Sequence, residues 1–292
     1  MNRATGAVMI LLAAAGFGTL GIFGKLAIDA GLNNPTLLTF RFGFATAILC
    51  GYLYVARSGP IPDRGRAASI VGLGLAYAVI TGAFFWGLLY IPAGVATIVL
   101  YTYPIYVYAF STVFLEESIT GPKIVALLSV LLGIGLIVGV DRTGAIAPIG
   151  VGLVWVSAVA YAVYTTGSRY AVDSIEPDYL ATGAIATTGV CVFGYGVVSG
   201  TLFVPSGARQ WGIILGIALA GTVVPILLFV NGLRFVEASR ASVLATAEPV
   251  TTVVLGVVVL GERLSAEILL GGSLVVLGVV IVQYSRAGRS TE

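Results

Sequence analysis

Runs of about 20 apolar residues follow one another along nearly the whole chain, and that pattern leaves few folds open. Inside lipid each backbone N–H and C=O needs a partner within its own segment, so the runs predict α-helices rather than open sheets. The expected spans are roughly 5–25, 34–56, 68–90, 93–115, 120–140, 148–169, 178–200, 211–234, 238–260 and 266–285. Short connections hold the turn formers: Asn33-Asn34-Pro35, Gly59-Pro60-Ile61-Pro62-Asp63, Asp141-Arg142-Thr143-Gly144 and Pro205-Ser206-Gly207. The first run imitates a signal peptide, with Arg3 before it and Ala13-Ala14-Ala15 as a small-residue site. It continues through Phe17, Leu20 and Phe23 to Gly24, so a retained helix is expected.

Composition narrows the chemistry. Charged residues make up 10% of the 292, against about 25% in a soluble domain, so a separate water-facing domain is not expected. A net charge of +2 with no long basic run gives no reason to expect nucleic acid as a partner. There is no histidine, which removes His-ligated zinc and haem and His-based triads. The two cysteines, Cys50 and Cys191, lie in apolar runs and do not form a disulfide framework. No Walker motif is present, so ATP is not the direct energy source. No cofactor or metal is expected, and without a clustered acid, base or nucleophile the chain does not read as an enzyme.

The runs repeat. Moved by 145 positions, Ala93 falls on Ala238, Thr97 on Ser242, Pro104 on Pro249, Glu117 on Glu262 and Gly133 on Gly278. At an offset of 144, Gly6 pairs with Gly150 and Lys25 with Arg169. Five spans per copy force opposite orientations, so the expected fold is all-α and integral to the membrane. It has ten transmembrane helices as two inverted five-helix repeats, 1–145 and 146–292. With the N-terminus inside, ten basic residues fall on the cytoplasmic side and four opposite, leaving out Arg41, which places both termini in the cytoplasm. Inverted repeats characterise secondary transporters, whose sites lie near the midplane at the repeat interface.

Both copies carry a proline-containing helix followed by Glu117-Ser-Ile-Thr120 or Glu262-Arg-Leu-Ser265, and an arginine stands early in the second span, in Leu38-Thr-Phe-Arg41. These features resemble the EamA repeat of the drug/metabolite transporter superfamily over nearly the whole chain, and the block from Glu248-Pro249 to Glu262 is the more typical copy. The resemblance implies a ten-helix exporter-like fold. Among the branches, the sequence is most similar to bacterial exporters of aromatic and other neutral amino acids, which implies the bacterial cytoplasmic (inner) membrane.

Polar side chains mark a candidate cavity. Thr97, Tyr101, Pro104, Tyr108 and Ser111 share one helix face, and Ser242, Thr246, Pro249, Val253 and Gly256 form its counterpart. A proline blocks the bond to the carbonyl one turn earlier, so carbonyls near Leu100 and Ala245 are expected to be free for a polar solute, or the hydroxyls bond back to their own backbone. Tyr77, Thr81 and Phe84 share a face of the third span; Tyr77 corresponds to Thr222, and Pro225 stands opposite Ile80. Ser157, Tyr161, Tyr164 and Ser168 line one face of the sixth. The substrate-binding candidates are Tyr77, Thr81, Thr97, Tyr101, Tyr161, Thr222, Ser242 and Thr246, with Pro104, Pro225 and Pro249 as hinges or helix breaks. Trp86 and Trp155 read as aromatic-belt residues.

Arg41 and Glu248 are charges within spans, where each must find a partner or water. On a continuous helix Glu248 points about 120° away from the Ser242–Thr246 stripe, which allows structural support, proton coupling or capture of a substrate ammonium. Glu117 and Glu262 are expected to fix loops or cap the following helix. Gly16, Gly18, Gly21 and Gly24 thin the first span, and Gly135 with Gly139 offers a homodimer face. The sequence therefore reads as a secondary exporter of small amphipathic metabolites, aromatic or other neutral amino acids first, working by alternating access. The alternative is efflux of cationic or aromatic drugs, and a non-transport scaffold leaves the duplication unexplained.

Overall fold

A computed structural model describes residues 3–56, 62–87, 90–91, 96, 99–138, 147–260 and 266–284, and every regular element among them is helical. The helices are α1 (Arg3–Phe17), α2 (Thr19–Asp29), α3 (Asn34–Ala56), α4 (Arg64–Gly87), α5 (Tyr103–Phe114), α6 (Gly121–Val138) and α7 (Pro148–Ala171). They continue as α8 (Pro177–Val198), α9 (Ala208–Ala218), a π-helical turn (Leu219–Val223), α10 (Val224–Leu233), α11 (Ala238–Ala245), α12 (Glu248–Leu260) and α13 (Ala266–Tyr284). Among the described residues, six segments are long and apolar enough to cross a membrane: Arg3–Asp29, Asn34–Ala56, Arg64–Gly87, Pro148–Ala171, Pro177–Val198 and Ala208–Leu233. The expected residues Thr97, Gly139 and Glu262 lie outside the described part.

The turn formers start helices as their chemistry requires. The Asn33 carboxamide oxygen accepts from the Thr36 amide at 2.9 Å and the Asp63 carboxylate from the Arg66 amide at 2.9 Å, satisfying first-turn donors. Proline occupies the first or second position of α5, α7, α8 and α10, where its missing N–H costs nothing. The first described turn of α12 likewise contains Pro249. Pro104 and Pro249 therefore open new helices. They do not bend continuous ones.

Helix pairing follows a pattern. α6 packs along α13, α4 against α7 and α8, α1 against α10, α9 and the π turn against α3, α3 against α8, α5 against α7, and α11 against both α5 and α1. Exchanging each apolar run for its repeat partner carries these pairs onto one another, while α8 also packs on α10 with no counterpart of similar extent. The α6–α13 pair needs glycine: a Cβ on Gly133 would stand 2.5 Å from the Gly271 carbonyl, and one on Gly278 would stand 2.8 Å from that of Ala126. Gly135 faces open space, so it takes no part in this contact. Phe42, Leu49, Ile185, Ile226, Leu233 and Leu244 fill the interior, while Leu12, Val71, Leu132, Val190 and Val198 stand exposed on the outside. Apolar residues on both faces of a helix suit a surface that meets lipid.

Trp86 and Trp155 are half exposed, and each indole N–H donates to a tyrosine hydroxyl, Tyr195 at 3.2 Å and Tyr106 at 2.7 Å. An apolar ring with a satisfied polar tip is the arrangement expected at the membrane boundary.

Candidate functional site

Three helix irregularities meet at the centre, and each has a local cause. Gly18 separates α1 from α2, and a Cβ there would approach the Glu248 carbonyl to 2.8 Å. Only a glycine lets the start of α12 come so near. The second irregularity is the π turn before Pro225. Proline cannot donate to the carbonyl four residues earlier, Gly221, and that oxygen receives a long contact of 3.5 Å from the Arg41 guanidinium. Arg41 Nε donates to Thr222 Oγ1 at 2.8 Å, and Thr222 donates in turn to the Ile217 carbonyl at 3.0 Å. The guanidinium also lies 4.8 Å from the Phe42 ring centroid and within electrostatic reach of the Tyr77 hydroxyl. A buried charge inside a span is thus held by a hydroxyl, a released carbonyl and aromatic faces.

The third irregularity divides α11 from α12. The amides of Thr246 and Ala247 reach back only three residues, to Val243 and Leu244 at 3.2 and 3.1 Å. The Ser242 carbonyl thereby loses its helical donor, and Tyr103 supplies one, its hydroxyl donating at 2.8 Å from the other half of the chain. Sequence reasoning placed the freed carbonyl near Ala245; the tightened turn moves the bonded one to Ser242. The other copy breaks in the same way, with the Thr102 amide bonded to Val99 at 3.2 Å ahead of Pro104. Tyr103 and Glu248, 145 positions apart, are therefore the first residues of the second half-helix in the two copies.

That break changes where Glu248 sits. The 120° rotation assumed an unbroken helix; at the start of α12 the carboxylate instead comes within reach of the Tyr101 hydroxyl and of Arg41. It stands at the positive end of a helix dipole. Glu248 and Tyr161 are part-buried and keep some accessible surface.

Aromatic rings complete the surroundings. Tyr103 and Tyr161 lie 4.3 Å apart between centroids, Tyr101 and Tyr103 6.2 Å, and Tyr77 and Tyr164 5.1 Å. The structure thus gathers Arg41, Tyr77, Tyr101, Tyr161, Thr222, Ser242 and Glu248 about one centre. Thr81 is buried one turn along α4 from Tyr77. Ser242 and Thr246 donate to their own backbone, at Ser239 and Val243, so they offer a solute acceptor lone pairs only. Tyr108 lies outside the centre, its hydroxyl donating to the Lys123 carbonyl at 3.1 Å.

Tyr103 was not among the candidates, and Tyr164 was placed on the polar face of the sixth span without being singled out. For Tyr103 the signal was present in its exact equivalence to Glu248 under the 145-residue shift. Glu117 departs from expectation in another way. It caps α11, 121 positions later, and not the helix that follows it, accepting from the Ala238 amide at 2.7 Å and the Ser239 amide at 3.2 Å.

The EamA-like transporter family profile matches residues 4–139 and again residues 148–284. The chain belongs to the EamA-like transporter family. It is a multi-pass membrane transporter, and the family is one of transporters and not of enzymes. The chain is 32% identical over 87% of its length to an uncharacterized transporter of Archaeoglobus fulgidus, covering 90% of that protein. It is 26% identical to the uncharacterized transporter YcbK of Bacillus subtilis, over 90% of this chain and 88% of that one. The pseudopaline exporter CntI of Pseudomonas aeruginosa is 24% identical over 72% of this chain and 73% of its own length. A solved crystal structure superposes with a TM-score of 0.83 at 20% identity, covering 97% of this chain and 98% of the other, which shows the shared fold. Two family matches in tandem agree with an internal repeat.

Proposed function

We propose that this transporter exports small amphipathic metabolites, aromatic or other neutral amino acids first, from the cytoplasm by alternating access. The observation that carries the reading is the convergence of one anion, Glu248, and one cation, Arg41, with several tyrosines where the broken helices meet. An amino acid presents an ammonium, a carboxylate and an apolar side chain. Glu248 receives the ammonium, Arg41 the carboxylate, and the rings of Tyr77, Tyr101 and Tyr161 border the side chain. The relative named as a pseudopaline exporter supports the outward direction.

In this reading the halves 1–145 and 146–292 are inverted five-helix repeats, making ten transmembrane helices with both termini in the cytoplasm of a bacterium and the protein in its inner membrane. The exchange symmetry of the helix pairs supports it, as does the distribution of basic residues. The halves rock about the centre, with the interruptions before Pro104, Pro225 and Pro249 as bending points. By sequence spacing alone, Thr97 belongs with the polar stripe of Tyr101, and Gly135 with Gly139 offers a homodimer motif.

The test is flux in proteoliposomes with a panel of labelled amino acids, each with and without a pH gradient. Saturable transport of phenylalanine or tryptophan is expected. A protein that moves cationic dyes but none of the amino acids sinks the proposal and favours drug efflux through Glu248 and the tyrosines. Unchanged flux with and without the gradient assigns transport to the solute gradient alone.

A further inference from the structure

We infer that Glu117, Lys123, Glu237 and Ser239 form a cross-repeat latch that closes the transporter on its cytoplasmic side and positions α11. The four side chains come from both halves and are joined by bonds that span the sequence. Lys123 is 4% exposed. Its ammonium donates to Glu237 Oε2 at 2.6 Å, to Ser239 Oγ at 2.9 Å and to the Ser118 carbonyl at 3.1 Å, and lies 4.0 Å from Glu117 Oε2. The Ser239 hydroxyl donates to Glu117, whose carboxylate also takes the first two amides of α11. Buried charges of this kind hold one geometry, because any opening strands an unpaired group. α11 is the half-helix that carries Ser242 to Tyr103, so the latch fixes the height of the central site as well as its access.

A cavity of about 240 Å³ lined by Arg3, Arg169, Arg234, Glu237 and Arg240 opens on one side of this cluster. Water therefore reaches Glu237 from outside the bundle, while Lys123 and Glu117 lie behind it. The arginines put that mouth in the cytoplasm, an assignment resting on the orientation given under Proposed function.

The sequence does not repeat this charged set in the other copy. Under the 145-residue shift Glu117 corresponds to Glu262, but Lys123 corresponds to Ile268, Glu237 to Pro92 and Ser239 to Gly94. Lysine, glutamate and serine thus stand together in one copy of the repeat and are replaced by isoleucine, proline and glycine in the other. The resting transporter is thus biased towards a cytoplasm-closed form, and loading substrate requires breaking the latch.

Side-specific thiol labelling tests this without reference to the substrate. In a Cys50→Ala, Cys191→Ala background, Ser242→Cys places a reporter on a residue that is fully buried. A membrane-impermeant maleimide is applied to inside-out and to right-side-out vesicles. With the latch intact, labelling from the cytoplasmic face is slow. Lys123→Met, and separately the rim substitution Glu237→Gln, raise that rate roughly tenfold or more, as expected for losing a charge-assisted bond in a two-state equilibrium. Lys123→Arg keeps the cation and restores slow labelling. Unchanged rates in both variants overturn the latch, as do rates raised equally from both faces, which mark a loosened fold. Acceleration confined to the opposite face overturns its placement in the cytoplasm. Failure to transport amino acids leaves these labelling rates untouched.

Discussion

Replacing Tyr103 by phenylalanine isolates one bond at the junction of the two halves. The ring keeps its volume and its 4.3 Å stacking on Tyr161, so no cavity term enters. What is lost is the hydroxyl that donates to the Ser242 carbonyl at 2.8 Å. That carbonyl is buried, and its usual helical donor, the Thr246 amide, is already turned to Val243. A neutral hydrogen bond contributes about 1 kcal/mol, and leaving its buried partner unsatisfied raises the cost to about 1–3 kcal/mol. Relief from burying the phenol oxygen offsets part of this, so about 1–2 kcal/mol of destabilisation is expected. Reversible unfolding in mixed micelles reads it as a reduced free energy of unfolding. If the bond belongs to one of the two alternating conformations, the same loss shifts their ratio by about tenfold, which steady-state flux reads as an altered maximal rate. A Tyr103→Phe protein within about 0.5 kcal/mol of the parent, the range of a neutral surface change, with unchanged flux, would refute the idea that this bond organises the break in α11–α12.

Three further outcomes are expected. Glu248→Gln removes the anion that faces Tyr101 and Arg41, and should raise the KM for an amino acid by about tenfold or more, the worth of a charge-assisted hydrogen bond; an unchanged KM in proteoliposomes removes Glu248 from the binding site. Thr222→Val takes away the 2.8 Å acceptor of Arg41 Nε and should cost about 1.5–3 kcal/mol in micelle unfolding. Gly133→Ala forces a methyl to within 2.5 Å of the Gly271 carbonyl, so α6 and α13 must separate at a cost of about 1–3 kcal/mol, whereas Gly135→Ala, facing open space, should be neutral by the same assay.

Helices, turns and the internal repeat were legible because they follow from composition and period. Apolar runs of bilayer length predict helices by backbone satisfaction alone, and Asn33, Asp63 and the prolines mark starts by chemistry that acts within one turn. The centre was less legible, since its geometry depends on where a helix stops. Pro104 and Pro249 were visible, but a proline inside an apolar run is compatible with a kink or with a fresh start. The choice determines the direction of Glu248. Taken as a kink, it turns the carboxylate away from the polar stripe; taken as a start, it brings it to Tyr101. The π turn at Leu219–Val223 has no periodic signature, so the seat of Arg41 on Thr222 and Gly221 emerges only in three dimensions. Glu117 shows the same limit, because its partners are 121 and 122 positions away and belong to the other half.

The two halves are alike in backbone and unlike in the side chains that matter for cargo, and the difference has a physical use. Tyr103 and Glu248 begin equivalent half-helices, yet only one is an acid. Arg41 corresponds under the same shift to Ala186, and Tyr77 to Thr222. Had the charges been duplicated, the centre would hold two anions and two cations, and two like charges close together in a low-dielectric interior repel strongly. A single pair presents one pole of each sign, fixing the orientation of a dipolar solute. Backbone symmetry shows instead in the helix pairing, where exchanging the copies carries one pair onto another. On the proposed reading, an asymmetric centre within a repeated scaffold keeps both poles at the middle whichever way the halves rock. Cargo could then leave to either side without rebuilding of the site, and the proposed latch of Glu117, Lys123, Glu237 and Ser239 would decide which side is closed at rest.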